Sequence, residues 1–215
     1  MKIYVVGSSK NKFLPLDNIR EKFLIDQPHD GDNIDNLNPW FCELTGLYYL
    51  WKHCNDDIVG LEHYRRYFVN KKNVPLNKDE ILKRLETCDI LCPIGQYSKH
   101  RPVITHFNNT GTRRDIDCFL LFCKHYVGQE YYNECWKILN GDYHCLGNMF
   151  ICKKELINEY CEFIFDVVFM FQEAEKYYNR PLTSRIIGYF TEFLFAAWLN
   201  MHNKKIGWSK WRMVR

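Results

Sequence analysis

Residues 56–68, with the sequence DDIVGLEHYRRYF, hold the densest group of side chains that could bind a charged ligand. The apolar half is typical of a buried strand, and open α/β sheets bind ligands at the carboxyl ends of such strands. Adjacent arginines supply charged forks for phosphate oxygens, and tyrosines can stack on a base or a sugar. The segment therefore predicts a pyrophosphate site formed by Glu62, His63, Tyr64, Arg65 and Arg66. Surface ion pairs with nearby acids explain the same arginines equally well.

Residues 30–45, DGDNIDNLNPWFCELT, place a polar loop in front of a helix. The unpaired N–H groups at the start of a helix can hold an anion. Asp32, Asn33 and Thr45 are therefore candidate ligand contacts. The acids resemble a calcium loop only in part, because the bidentate glutamate at its end is missing. Ordinary turn and capping chemistry is an equally good explanation for about half of these residues.

Residues 184–198, SRIIGYFTEFLFAAW, read as an apolar helix that carries two charges, Arg185 and Glu192. Two helical turns separate these residues, so the periodicity places both side chains on one face. A carboxylate in a polar cavity within such a helix could have the raised pKa of a general base. We therefore expect Glu192 to be catalytic and Arg185 to contact a ligand. A structural link between the two is the alternative.

Three further polar residues stand out singly. Asn148 lies in the apolar run LGNMFI, where a polar amide needs a hydrogen-bond partner, either a ligand or the core. His144 lies just upstream, and His106 in the loop THFNNT is the best remaining histidine for substrate contact. The N-terminal GSSKNK lacks the glycine spacing of a phosphate-binding or dinucleotide-binding loop, which disfavours a P-loop kinase or an NAD enzyme.

Short β-branched runs alternate with segments of helical periodicity, which indicates an α/β fold with a mostly parallel central sheet. The predicted strands are residues 3–6, 58–61, 90–92 and 146–152. The predicted helices are residues 40–53, 78–86, 115–126, 130–139, 155–177 and 184–201, so the C-terminal half is rich in helix.

The chain has 215 residues, of which 47% are hydrophobic, enough for a single core. We predict one domain over residues 1–203 and a basic tail over residues 204–215, KKIGWSKWRMVR. Lysine and arginine interleaved with tryptophan suit an anionic membrane surface, although the tryptophans could equally pack back on the domain. The formal net charge of +3 disfavours nucleic-acid binding.

The ten cysteines lie among apolar neighbours, which favours reduced, buried thiols. Their spacing does not match a zinc knuckle. The N-terminus reads as a strand rather than as a signal peptide, and the longest apolar stretch, residues 163–171, is much shorter than a membrane span. These features predict a cytoplasmic protein, peripheral on the inner face of the membrane if the tail binds lipid.

Four blocks strongly resemble an uncharacterised-domain family of capsule and exopolysaccharide gene clusters, whose members are described as glycosyltransferases. The blocks are GDNIDNLNPWFCELTGLYYLWKH, GLEHYRRYF, GNMFICKKELINEYCEFIF and RIIGYFTEFLF, with ELTGLYYLWK and HYRRYF the most distinctive. The resemblance runs from about residue 3 to residue 199. It implies a GT-A-like sandwich and transfer from a UDP-sugar to an oligosaccharide or lipid-linked acceptor. Some members resemble galactofuranosyltransferases, which implies galactofuranose as the sugar and inversion of configuration.

Under this interpretation Asp32, Asn33, Thr45 and residues 62–66 hold the donor, whereas His106, Asn148 and Arg185 position the sugar or the acceptor. Glu192 is the base, with Asp32 and Asp115 as rivals. A typical GT-A enzyme shows two aspartates where this chain has Glu62 and His63, so Mn²⁺ or Mg²⁺ is not a certain cofactor. Arginines can offset the diphosphate charge, or His63 with Glu62 or His144 can bind manganese. A non-catalytic nucleotide-sugar or glycan-binding module, or a scaffold of a polysaccharide assembly complex, is the competing class.

Overall fold

An eight-stranded sheet forms the centre of the computed structural model, which describes residues 1–93, 102–110, 112–141 and 146–213. The strands are β1 (Lys2–Gly7), β2 (Arg20–Leu24), β3 (Ile58–His63), β4 (Arg66–Phe68), β5 (Ile90–Pro93), β6 (Phe150–Lys153), β7 (Ile206–Ser209) and β8 (Trp211–Met213). The helices are α1 (Asn38–Phe41), α2 (Leu44–His53), α3 (Lys78–Leu85), α4 (Ile104–Thr110), α5 (Arg113–Tyr126), α6 (Gln129–Asn140), α7 (Lys154–Tyr177) and α8 (Ile186–Met201).

The strand order is β2-β1-β3-β6-β5-β7, and β4 extends from β3 to pair with β8. β1 is parallel to β2 and β3, β5 is parallel to β7, and β6 is antiparallel to both of its neighbours. Every described strand except β4 and β6 therefore runs in the same direction. The predicted α/β class with a mostly parallel central sheet is confirmed.

Helices cover both faces of the sheet because successive strand residues point to opposite sides. Tyr4 and Val6 of β1 belong to the large core cluster, which α2 and α5 to α8 complete. Ile3 of the same strand belongs to a smaller cluster on the other face, together with Ile81 of α3. Asn77 caps α3, because its side chain accepts the Glu80 N–H while Glu80 bonds back to the Asn77 N–H. The fold thus has three layers, with the helix-rich half on one side.

The predicted helix over residues 40–53 is interrupted at Cys42. Its backbone has φ of 52° and ψ of −122°, which ends α1 before α2 begins at Leu44. A positive φ is unfavourable for a residue with a Cβ, so the surrounding structure must hold this conformation. Helical periodicity continues across this break, and for that reason the sequence does not reveal it.

Residues 206–213, within the segment expected to be a tail, form β7 and β8. β7 pairs with β5 along the sheet, and β8 pairs with β4, so both strands satisfy backbone groups at open edges. Trp208 is 46% exposed, whereas Trp211 is partly buried. The segment therefore belongs to the sheet and does not extend from it.

A buried ion pair links the strands on either side of β1. Nε of Arg20 lies 2.7 Å from Oε2 of Glu62, and Nη2 lies 3.2 Å from Oε1. Glu62 also accepts the Phe68 N–H at 2.9 Å, and Arg20 donates to Asp17. Both side chains are almost fully buried, so each charge depends on the other for compensation.

Every cysteine in the described part of the chain is a free thiol. Burial raises the pKa of Cys123, Cys135 and Cys161 well above the ordinary thiol value, with Cys135 at about 12. These thiols pack as small apolar side chains. Within the described ranges, we find no helix with the length and apolarity needed to span a bilayer.

Candidate functional site

A pocket of about 550 Å³ lies at the carboxyl ends of the parallel strands β1 and β3. Gly7 ends β1, and a Cβ there would stand 2.8 Å from both Phe13 and Tyr64, so only glycine fits. His63 ends β3, and the two-residue turn of Tyr64 and Arg65 leads directly into β4. The junction of α1 with α2 and the start of α8 form the remaining walls. The position is that of ligand sites in open α/β sheets.

Three arginines line the described part of this pocket, namely Arg65, Arg66 and Arg185. Arg65 is exposed, while Arg66 is half-buried with Cζ 5.8 Å from the ring centroid of Trp211. Nε of Arg66 is buried and has no hydrogen-bond partner among the described residues. A buried donor without a partner is costly, so a bound anion would relieve a real penalty at this position.

Two carboxylates, Glu43 and Glu192, face the same pocket. Both glutamates are buried, and each is only 9% exposed. Oε1 of Glu43 accepts a hydrogen bond from Nδ2 of Asn148 at 2.9 Å. Burial raises the pKa of Glu43 to about 7, and the negative charge of Glu192 adds to the increase. A carboxyl with a pKa near neutrality can exchange a proton with a ligand at physiological pH.

The packing of α8 explains why these carboxylates are neighbours. Gly188 lies against Glu43, since a Cβ on Gly188 would stand 3.8 Å from Oε2 of Glu43. Glu192 follows Gly188 by one helical turn and so lies on the same face of α8. Asn148 also donates to the Gly188 carbonyl at 3.2 Å, which ties the turn before β6 to α8.

The turn Leu146–Asn148 supports the floor of the pocket. The carbonyl oxygen of Gly147 lies 2.6 Å from Nε2 of His63, which must therefore donate. Gly147 has φ of +66°, and a Cβ there would stand 3.0 Å from Nη1 of Arg66. Burial lowers the pKa of His63 to about 4, and the charge of Arg66 contributes to the decrease. His63 is thus neutral at pH 7, with Nδ1 as an acceptor.

Arg185 precedes α8 rather than lying within it. Its backbone is left-handed, with φ of 66°, and its N–H donates to the Pro39 carbonyl at 2.9 Å. The guanidinium lies over the ring of Tyr189 at 5.6 Å. The sequence argument placed Arg185 and Glu192 on one helical face. The structure brings them to one pocket through the bend at Arg185 instead.

Four predicted donor contacts lie elsewhere. Asp32 accepts a hydrogen bond from the Tyr48 hydroxyl at 2.9 Å, and Asn33 donates one to the His29 carbonyl. Thr45 is buried, and its hydroxyl donates to the Cys42 carbonyl. Glu62 points away from the pocket into its ion pair with Arg20. These four side chains are absent from the described lining of the pocket. For Glu62 the reason is alternation along β3, which sends Glu62 and His63 to opposite sides.

The remaining candidates differ in their placement. Asn148 is 2% exposed, and its Nδ2 donates to Glu43. Its Oδ1 is buried without a hydrogen-bond partner among the described residues. Asp115, a rival base, accepts the Thr183 hydroxyl and is absent from the described pocket lining. His106 lies in α4, and only its backbone is described. His144 lies outside the described residues.

Sequence reasoning missed Glu43 as a chemical group. It stands in the distinctive block ELTGLYYLWK, immediately before the apolar positions of α2, where it was read as part of a helix start. Pocket residues from distant segments, Asn11, Tyr189 and Ser184, gave no local signal either. The local signal for Glu43 was the presence of an acid directly before an apolar helix.

The residues of the described pocket do not fit the acidic metal motif of a GT-A site. In the described ranges, no group of three or more histidine, cysteine, aspartate or glutamate side chains stands close enough to hold a metal ion. Glu62 is paired with Arg20 and is not available to bind manganese with His63. The alternative partner, His144, lies outside the described residues. The lining arginines are the groups that can balance a diphosphate.

The family described as "Domain of unknown function (DUF4422)" matches residues 2–204, and the chain belongs to this family. No curated protein matches the chain. The apo structure of the WbbM bifunctional glycosyltransferase is similar, with a TM-score of 0.76 and 20% sequence identity. The similarity covers 99% of this chain and 45% of the WbbM chain. This chain therefore shares the α/β, GT-A-like fold over less than half of that larger protein.

Proposed function

We propose that the chain is an inverting glycosyltransferase that moves a sugar from a UDP-sugar to a hydroxyl of a glycan acceptor. The observation that carries the proposal is the pocket, in which three arginines and two carboxylates meet at the carboxyl ends of β1 and β3. The fold shared with WbbM supports the same class. Capsule, exopolysaccharide or lipopolysaccharide synthesis is the proposed setting, and galactofuranose, which rests on the family resemblance, is the proposed sugar.

Arg65 and Arg66 hold the diphosphate in this proposal. Their guanidinium groups are permanently charged and can bind two oxygens of one phosphate. As the bond between the anomeric carbon and the phosphate oxygen breaks, negative charge grows on the leaving diphosphate. Fixed positive charge at that position stabilises the transition state without reorganisation. Tyr64 and His63 complete the donor side, with His63 as a neutral partner.

Glu192 is the proposed base. It removes the proton of the acceptor hydroxyl while the hydroxyl oxygen attacks the anomeric carbon, and UDP leaves with the electron pair of the broken bond. Arg185, at the mouth of the same pocket, positions the sugar or the acceptor. Glu43, with a pKa of about 7, is the rival base that the structure adds. Asn148 acts on the reaction through Glu43.

Contact with an anionic membrane forms part of the proposal for lipid-linked acceptors. Trp208 is 46% exposed on β7, and Lys205 and Lys210 are exposed on either side of it. Such a basic, aromatic edge suits a headgroup layer. The segment can present these side chains while its backbone stays in the sheet.

Thermal unfolding with UDP, GDP, CMP and dTDP, each with and without Mn²⁺, tests the proposal first. A nucleotide that binds only the folded chain raises its melting temperature. At a nucleotide concentration of 100 times Kd, the free energy of unfolding increases by about 2.7 kcal/mol. We expect UDP to stabilise the protein, and Arg66→Ala to abolish the shift. Absence of a shift with any nucleotide would sink the transferase proposal. Binding of UDP-sugar without UDP release across an acceptor panel would favour a binding module.

A further inference from the structure

A second cavity, of about 570 Å³, lies beside the donor pocket. Its volume falls within the roughly 300–1,000 Å³ of typical small-molecule sites. The lining comes from the start of α1, the end of α7 and the connection to α8. No step of the proposed transfer uses these residues. A glycosyltransferase must hold an acceptor next to its donor, so the relation between the two cavities matters.

A shared wall separates the cavities. The Pro39 carbonyl accepts hydrogen bonds from the Arg185 N–H at 2.9 Å and the Ser184 hydroxyl at 3.2 Å. Nε1 of Trp40 donates to the Leu182 carbonyl at 3.2 Å. Pro39, Ser184 and Arg185 face the donor pocket, whereas Trp40 and Leu182 face the second cavity. The two cavities are therefore adjacent, with the wall of residues 39–40 and 182–185 between them.

The second cavity has an apolar floor and a polar rim. Trp40, Leu37 and Leu182 are half-buried, and the bond to Leu182 fixes the orientation of the Trp40 ring. Gln172 and Asn179 supply amide donors and acceptors. The C–H face of a sugar ring stacks on an indole while its hydroxyls bond to such amides. The lining therefore has the chemistry of a sugar subsite.

The charges in this cavity neutralise one another. Arg180 Nη2 lies 2.6 Å from Oε1 of Glu175, and Lys176 Nζ lies 3.7 Å from Oε1 of Glu173. The donor pocket, in contrast, has three arginines against two glutamates. An anionic ligand thus favours the donor pocket, and the second cavity suits a neutral one.

We propose that the second cavity is an acceptor subsite, which binds a neutral sugar ring of a glycan whose reacting hydroxyl lies in the donor pocket. This inference rests on the proposed function. It assigns Trp40 as the stacking platform and Gln172 as a hydrogen-bonding partner. The acceptor accordingly spans at least two sugar residues across the wall formed by Pro39 and Ser184.

Fluorine NMR on protein labelled with 5-fluorotryptophan tests the subsite. The chain has six tryptophans, and the signal lost in Trp40→Phe identifies residue 40. Cellotriose, maltotriose and β-1,4-galactotriose serve as neutral probes. We expect at least one trisaccharide to shift the Trp40 signal while the Trp208 signal stays in place. Gln172→Leu should weaken that response at least fivefold.

The same samples separate this inference from the proposed function. UDP should stabilise the Gln172→Leu variant as much as the original protein, which also shows that the variant is folded. UDP binding with no Trp40 response to any trisaccharide overturns the subsite. A Trp40 response in a protein that binds no nucleotide overturns the transferase proposal and the acceptor role with it. If the Trp40 signal of the Gln172→Leu variant responded to the trisaccharide as strongly as in the original protein, Gln172 would not be a hydrogen-bonding partner of the sugar.

Discussion

At the residue scale, the site depends on two carboxylates that share a pocket with three arginines. Burial raises the pKa of Glu43, and the negative charge of Glu192 adds to the increase, because like charges close together resist simultaneous ionisation. Glu192 lies one turn beyond the point where α8 packs on Glu43. Glu43 can therefore hold a proton near neutral pH.

Replacement of Glu192 by glutamine should lower the rate of sugar transfer by roughly a hundredfold or more, as expected for loss of a general base. Glutamine keeps the shape of the side chain, so thermal stability and UDP affinity should change little. The measurement is UDP release with the acceptor present, beside a melting curve. Near-normal transfer would show that Glu192 is not the base and would move that role to Glu43.

Replacement of Glu43 by glutamine should change how stability depends on pH. Folded Glu43 keeps its proton up to about pH 7, whereas the unfolded chain loses it near the ordinary value of 4.5. The folded state binds more protons between these values, so its stability falls as the pH rises through this range. Since a tenfold change in ionisation corresponds to about 1.4 kcal/mol, the loss is on the order of 3 kcal/mol.

Glutamine at position 43 has no proton to lose and can still accept from Asn148. Urea unfolding at pH 5 and pH 8 should show similar stability for the two proteins at the lower pH. At the higher pH the Glu43→Gln variant should be the more stable. A constant difference across both conditions would mean that Glu43 ionises normally in the folded protein.

At the element scale, strand β8 positions an arginine of the donor side. β8 pairs with β4 so that Met213 stands opposite Arg66, and Trp211 lies within 5.8 Å of the Arg66 guanidinium. The segment expected to be a basic tail thus supports the predicted diphosphate contact. This link joins the last strand of the sheet to the pocket at its centre.

Trp211→Leu should weaken UDP binding roughly two- to fivefold, because a cation–π contact of this kind contributes about 0.5–1 kcal/mol. Uridine, which has no phosphate, should bind the variant and the original protein equally. Trp208→Leu is the matched control, since Trp208 lies on β7 and is half-exposed. Calorimetric titration gives both affinities. Equal losses for UDP and uridine would indicate general disruption and not a displaced Arg66.

At the scale of the whole molecule, residues 206–213 complete the sheet. β7 covers the edge of β5, and Gly207 fits where a Cβ would stand 2.5 Å from Sγ of Cys88. Deletion of residues 204–215 should lower the melting temperature by roughly 10 °C or more, because two strands and their contacts are lost. If the truncated protein melted at the original temperature, residues 204–215 would be a separate appendage that does not stabilise the sheet.

Lys205→Gln combined with Lys210→Gln provides the control, because it removes charge at exposed positions and keeps both strands. The melting temperature should stay within about 2 °C, as is usual for surface changes. Co-sedimentation with vesicles of phosphatidylglycerol should decrease, since each lysine near an anionic surface contributes about 1 kcal/mol. If co-sedimentation with the vesicles were unchanged, Lys205 and Lys210 would not contribute to membrane binding.

The sequence alone determined what depends on short-range pattern. β-branched runs and helical periodicity identified β1, β3 and β5 and most of the helices. The polar end of β3 also marked Arg65 and Arg66, because strand alternation and the carboxyl-end rule are local. Strand β2 carries mostly polar residues and β8 has only three residues, so neither gives a clear strand signal.

Only the tertiary structure decided which charges share a cavity. Glu62 and His63 are adjacent in sequence, yet one is neutralised by Arg20 inside the sheet and the other faces the pocket. Glu43 acquires its raised pKa from burial and from Glu192, a residue that packs beside it through α8. Desolvation and charge coupling depend on distances between segments far apart in the chain, and local pattern carries no information about those distances.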